Sequence, residues 1–232
     1  MDPVLVSAYV FTENHYQNLD FYIQNGVKML SIQMNKIVFI DNRVIRYFET
    51  YKNAQTHIIP FSYEDNYLAK YLPKLQDVTN GNPEKDTNFF YSIMCNKTEW
   101  IRKAIQLDIY DSNYFTWFDF GMYKIFNENL TIYSLKKCYD SVRIASIWDL
   151  NQHHNVNIHK QVCWYFAGGI FGGNKQSLIQ FADIMKRETL QYIQSHNALV
   201  WEVNIWYMIY KQYPGLFSPY TCNHNNSIVN NF

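Results

Sequence analysis

Apolar residues first cluster at Val4–Phe11 (VLVSAYVF), a β-branched and aromatic run that reads as an opening strand. Lys36–Ile40 (KIVFI) stops abruptly at Asp41-Asn42 and reads as a second strand, and Gln55–Phe61 (QTHIIPF) as a third. Between them Leu19–Leu30 and Val44–Lys52 read as helices. Residues 62–75 look helical as far as Leu72, where Pro73 interferes. Asp77–Asp86 (DVTNGNPEKD) has the punctuation of a loop. After it, Asn96-Lys97-Thr98-Glu99 has the spacing of a capping box and opens a helix to about Leu107. Tyr114–Phe120 is a buried strand with a single acid, and Arg143–Trp148 another that ends at Asp149. Trp164–Phe171 is a strand interrupted by glycines. A long helix follows from Asn174 to about His196, with Leu178, Phe181, Ala182 and Met185 on one face. A last helix covers Val200–Tyr213, ahead of an irregular tail rich in asparagine. Strands alternate with helices, and no repeat or linker divides the chain. The predicted architecture is one α/β domain over residues 1–232, a mostly parallel twisted sheet flanked by helices on both faces.

Composition narrows the function classes. Lysine plus arginine is 20 and aspartate plus glutamate is 20, so no net positive field exists to neutralise a nucleic-acid backbone. Aromatic residues make up 18% of the chain and charged ones 17%, which excludes disorder. Cys95, Cys138, Cys163 and Cys222 form no CxxC pair, so reduced thiols in a cytoplasmic protein are expected. The N-terminus lacks the basic segment of a signal peptide, and no apolar run reaches the length of a spanning helix.

Four features carry candidate chemistry. Asp119 closes a strand in Trp117-Phe118-Asp119-Phe120-Gly121, the end at which open α/β sheets bind ligands, although an acid there also serves as a turn cap. Gly168, Gly169, Gly172 and Gly173 fall within six positions, which suits close approach by a ligand or by another element. Lys97 shares a helix face with Ile101, Ala104 and Ile105, so it must snorkel outward or find an anion, such as a diphosphate. Glu202 shares a face with Ile205, Trp206 and Ile209, where burial suits a proton-transfer group. His224 stands in a polar loop, Thr221–Asn226. The run His153, His154 and His159 lacks a completing zinc ligand.

In this order the pieces resemble a nucleotide-sugar glycosyltransferase of the GT-A fold, and more narrowly the HtrL/YibB-like family of bacterial and viral glycosyltransferase-like proteins. The residues that carry the resemblance are Val4–Phe11, the Lys97 helix, Trp117–Gly121, Gly168–Gly173, Glu202–Trp206, Pro214–Phe217 and His224–Ile228. The resemblance implies a nucleoside-diphosphate sugar, UDP- or GDP-type, as donor and a glycan or lipid-linked acceptor. It also implies Mn²⁺ or Mg²⁺ held against the diphosphate by Asp119 and His224, although the second carboxylate of the usual Asp-x-Asp motif is replaced by Gly121. By the same analogy Tyr9 and Asp41 meet the base and ribose, Lys97 the diphosphate, and Gly168 and Gly169 the donor sugar. Glu202, with Asp149 second, is the candidate catalytic base of an inverting reaction. A non-catalytic sugar- or nucleotide-binding protein that kept the fold is the alternative.

Overall fold

In the computed structural model, residues 2–12, 18–78, 81–127, 132–152 and 154–232 are described. Seven strands form one sheet: β1 (Val4–Tyr9), β2 (Lys36–Asp41), β3 (Thr56–Phe61), β4 (Tyr114–Phe118), β5 (Val142–Ser146), β6 (Phe166–Asn174) and β7 (Phe217–Thr221). Their order across the sheet is β3-β2-β1-β4-β6-β5-β7. The pairs β1–β2, β1–β4, β2–β3 and β5–β7 are parallel, while β6 runs antiparallel to both β4 and β5. The C-terminal ends of six strands and the N-terminal end of β6 therefore share one edge of the sheet.

The helices are α1 (Leu19–Leu30), α2 (Asn88–Cys95), α3 (Lys97–Leu107), α4 (Lys175–His196), α5 (Glu202–Gln212) and α6 (Ser227–Asn230). Strand alternation sends Val6, Phe39, Trp117 and Ile144 to one face, against Trp100 and Ile101 of α3, Phe181 of α4 and Trp206 of α5. It sends Leu5, Val38, Ile40 and Ala145 to the other, against Met29 and Leu30 of α1, Val229 of α6 and Phe232. The sheet is thus mostly parallel and covered on both faces, as expected. No helix among the described residues is long and apolar enough to cross a membrane.

Several local expectations are corrected. Val44–Lys52 forms two short 3-10 turns, Ile45–Tyr47 and Glu49–Tyr51, and residues 62–75 form two more, Tyr63–Asp65 and Ala69–Lys74. In the latter, Asn66 receives the Leu68 N–H and gives its own amide to the Ser92 carbonyl, which fixes the turn geometry. The capping box at Asn96 does not form, because α2 runs almost directly into α3 and leaves Asn96 in helical geometry. Glu99 instead pairs with Arg102. Helix α2 was not expected from its sequence: Asn88–Cys95 is apolar almost throughout and shows no period, and its start is marked by Thr87, which caps the Phe90 N–H.

The tail is not irregular. Phe217–Thr221 pairs with β5, and Ile228, Val229 and Phe232 are buried beyond it. Pro219 disguises this strand, but an edge strand tolerates proline. The expected strand at Trp164 starts later and continues through Gly172 and Gly173. A Cβ on Gly172 would lie 2.8 Å from the Phe115 carbonyl oxygen, and one on Gly173 2.7 Å from that of Ser141. These two glycines serve sheet packing.

Candidate functional site

Four elements bring their chemistry together on the α3–α5 side of the shared edge. Asp119 follows β4 and has the parity of Phe115 and Trp117, which turns it toward α3. There the Lys97 ammonium lies 3.0 Å from Asp119 Oδ1 and 3.1 Å from Oδ2. It also donates to Glu202 Oε1 at 2.9 Å, at the start of α5, and to the Gly168 carbonyl at 2.9 Å. The Trp117 indole N–H reaches Asp119 Oδ1 at 2.6 Å. Lys97 is 2% exposed and Glu202 7%, whereas Asp119 keeps 31% exposure.

Electrostatics follow from this geometry. Burial opposes charge on Lys97, but the two carboxylates outweigh it and hold the ammonium above its ordinary pKa. Enclosure raises the Asp119 carboxyl against the pull of Lys97 and Trp117, and the Glu202 charge adds to the rise. Lys97 has three N–H donors and three acceptor groups, so none is left for a diphosphate. The expected role of Lys97 as a phosphate ligand is thereby corrected: its anions come from the protein itself.

Gly168 makes room for this cluster. A Cβ there would lie 2.1 Å from Glu202 Oε1 and 3.1 Å from Lys97 Nζ. The carboxylate is the far end of a flexible side chain, so it would yield by leaving the lysine. Gly168→Ala is expected to cost about 1.5 kcal/mol, the low end for a lost charge-assisted hydrogen bond, in a chemical denaturation measurement. An unchanged midpoint would show that Glu202 relaxes without losing Lys97. Gly169 lies beside it: its carbonyl accepts the Asp119 N–H at 2.9 Å, and a Cβ would meet Met122.

On the same sheet edge, a cleft of about 1270 Å³ opens at the ends of β1, β2 and β3. Its lining includes Phe11, Asp41, Arg43, Ser62, Lys85 and Phe90. Asp41 is fully engaged: Oδ1 accepts from Arg43 Nε at 2.9 Å, and Oδ2 from Arg43 Nη2 at 2.6 Å and the Phe11 N–H at 3.1 Å. Burial works against its charge, but these donors hold the carboxyl below the usual range. Arg43 also donates to the Phe11 carbonyl and lies over the Phe11 ring. Arg43 and Trp117 were missed in the sequence, although each stands two residues from a flagged acid, Arg43 in the turn after β2 and Trp117 within β4.

The remaining candidates have other partners. Tyr9 is 5% exposed, stacked between Tyr22 at 4.9 Å and Phe120 at 5.3 Å, because alternation points it to the α1 face. That packing corrects the expected contact with a base. Asp149 caps its own turn, accepting from the Asn151 N–H at 2.9 Å. His224 packs edge-on against Trp164 at 4.4 Å, and partial burial lowers its pKa, which favours neutral imidazole. His154 packs on Trp148 and His159 on Tyr192, while His153 lies outside the described residues.

Residues 7–224 match the family described as "Bacterial protein of unknown function (HtrL_YibB)". The chain belongs to the HtrL/YibB family. The matched span runs from Ser7 in β1 to His224 beyond β7, and so includes Lys97, Asp119, Gly168 and Glu202. No curated protein matches the chain. Among solved structures it is similar to a glycosyltransferase involved in the glycosylation of the major capsid of PBCV-1, at 10% identity and a TM-score of 0.45, covering 95% of this chain and 82% of that one.

Within this HtrL/YibB-family chain, no three His, Cys, Asp or Glu side chains converge among the described residues. Asp119 is nonetheless held from behind by Trp117 and Lys97 and keeps an exposed side, as a metal-ligating carboxylate with an outer hydrogen-bonding shell does. The residues fit a divalent cation that a bound diphosphate helps to coordinate, and do not fit one bound beforehand.

Proposed function

We propose that the protein transfers a sugar from a nucleoside-diphosphate donor, UDP- or GDP-type, to a glycan or lipid-linked acceptor. The observation that carries this reading is a single sheet edge that holds both a large cleft, at the ends of β1, β2 and β3, and the Lys97–Asp119–Glu202–Gly168 cluster. Open α/β sheets bind ligands at this edge. In this reading the nucleoside enters between Phe11, Arg43 and Phe90, and the diphosphate points toward Asp119. Asp119, with His224 as second ligand, would hold Mn²⁺ or Mg²⁺, which would supply positive charge to the departing diphosphate.

The protein's own residues do the remaining work. Lys97 neutralises and orients both carboxylates. It binds Glu202 Oε1, and among the described residues Oε2 has no hydrogen-bond partner and is free to take the acceptor proton. The Gly168–Gly169 backbone lies where the donor sugar would pass. A second reading, donor binding without transfer, is favoured by one observation: the candidate base is itself tied to a buried lysine.

Thermal unfolding with UDP or GDP, with and without Mn²⁺, tests the proposal. At about 100 times its dissociation constant the correct nucleotide adds about 2.7 kcal/mol, and more nucleotide binds when metal is present. Melting that ignores every nucleotide sinks the donor-binding claim, and equal shifts without metal sink the metal. Donor hydrolysis separates transfer from mere binding.

A further inference from the structure

The rings of Phe11, Tyr63, Phe89 and Phe90 line the cleft at the ends of β1, β2 and β3. Tyr63 and Phe89 lie 4.4 Å apart, centroid to centroid, and the Tyr63 hydroxyl is 2.5 Å from that of Ser92. Aromatic faces hold a flat base but do not tell one base from another, because every base has a π-face. Discrimination comes from the polar groups that meet the base edge.

Three carboxylates line the same cleft: Asp41, Glu64 and Glu84. Asp41 has both oxygens occupied by Arg43 and the Phe11 N–H. The Glu84 N–H is tied to Asn82 Oδ1 at 3.0 Å, but its carboxylate has no partner among the described residues, so nothing fixes its direction. Glu64 differs from both. It stands just beyond β3 in the 3-10 turn Tyr63–Asp65, where Asp65 accepts the Ser62 N–H at 3.3 Å and the Ser62 hydroxyl donates to Glu64 Oε2. Among the described residues Oε1 has no partner, and Oε2 keeps a second lone pair. The cleft therefore holds one anchored carboxylate with both oxygens open to a ligand.

Guanine sets two donors side by side, N1–H and the N2 amine, and these match two carboxylate oxygens as an arginine fork does. Uracil offers a single N–H between two carbonyl oxygens, which a carboxylate repels. Adenine and cytosine each place an acceptor nitrogen beside the amine. We propose that the base bound in this cleft is guanine and that Glu64 reads its N1–H and N2 amine. This rests on the reading of the cleft as a nucleoside-diphosphate site and narrows the donor to the GDP type.

Calorimetric titration of GDP, UDP and inosine diphosphate, which lacks the N2 amine, tests the assignment at constant Mg²⁺ in wild type, Glu64→Gln and Glu84→Gln. In wild type GDP should bind tightest, with inosine diphosphate about tenfold weaker for the loss of one hydrogen bond to a charged group, and UDP weaker still. Glutamine turns an amide N–H toward one of the two donors, so Glu64→Gln should weaken GDP at least about tenfold, remove its advantage over inosine diphosphate and leave UDP no weaker. Glu84→Gln should keep the wild-type order. Glu64 is exposed, so the unliganded melting temperature should hold. UDP as tight as GDP, or inosine diphosphate equal to GDP, in wild type overturns the guanine assignment and leaves the proposed function standing. A guanine preference that survives Glu64→Gln overturns the role of Glu64. A wild-type protein that binds none of the three removes the proposed function and this inference with it.

Discussion

Lys97→Met is expected to destabilise the protein by about 3–5 kcal/mol, the cost of removing one partner from a buried ion pair. The methionine fills the space of the stem, so little of the loss is cavity. What remains is Asp119 and Glu202 facing each other without the ammonium that lies 2.9 to 3.1 Å from each. For a domain of this size the melting temperature should drop by roughly 10 °C. The loss also depends on pH. Without Lys97 the Asp119 carboxyl, already raised by enclosure, loses the cation that pulls it down, so the folded variant binds more protons than the unfolded chain above about pH 4. Its stability therefore falls as pH rises through that window, and the gap to wild type narrows in acid. Denaturation at pH 5 and pH 8 reads this directly. A variant as stable as wild type at pH 8 would mean that Lys97 is no hub.

Lys36→Met should act in the opposite direction. Lys36 opens β2 at the far edge of the sheet, is 2% exposed, and among the described residues its ammonium has one partner, the Thr56 hydroxyl at 3.3 Å. Burial without an anion lowers its pKa to about 8. The folded state thus binds fewer protons than the unfolded state between about pH 8 and the ordinary lysine value. Wild-type stability climbs across that window, and the full penalty is present below it. Methionine keeps the stem and removes the charge, for a gain of about 2–3 kcal/mol at pH 7, somewhat less than the whole shift implies because water reaches the strand end. The difference between variant and wild type should shrink by pH 10, when tyrosine titration common to both cancels. Loss of stability at pH 7 would reveal an anionic partner for this lysine.

The legible parts of the fold were those with a strong period or a clean β-branched run: β1, β2, β4 and α4. Helix α2 was invisible because Phe89, Phe90, Tyr91, Ile93 and Met94 leave no polar face, and β7 because Pro219 sits inside it. At the site, Lys97, Asp119 and Glu202 each stood out as a charge among apolar neighbours. That they were partners of one another was not legible, since 22 and 105 residues separate Lys97 from its two carboxylates. A lysine on an apolar stripe says that an anion is needed and does not say whose. Tyr9 showed the opposite limit: a strand-end aromatic signals a ligand and a packed core with the same letters.

The reversed direction of β6 has a consequence for how the chain folds. Its N-terminal end carries Gly168, which meets Lys97 from 71 residues away, and α5 arrives later still with Glu202. Contacts so distant in sequence carry the largest loop-closure cost and form slowly relative to hairpins and helices. The antiparallel β5–β6 pairing spans less of the chain, and the long helix α4 is local, so both can precede them. The ammonium finds both carboxylates only once the two halves of the chain have docked, so a collapsed intermediate holding most of the native helix content would still lack the site.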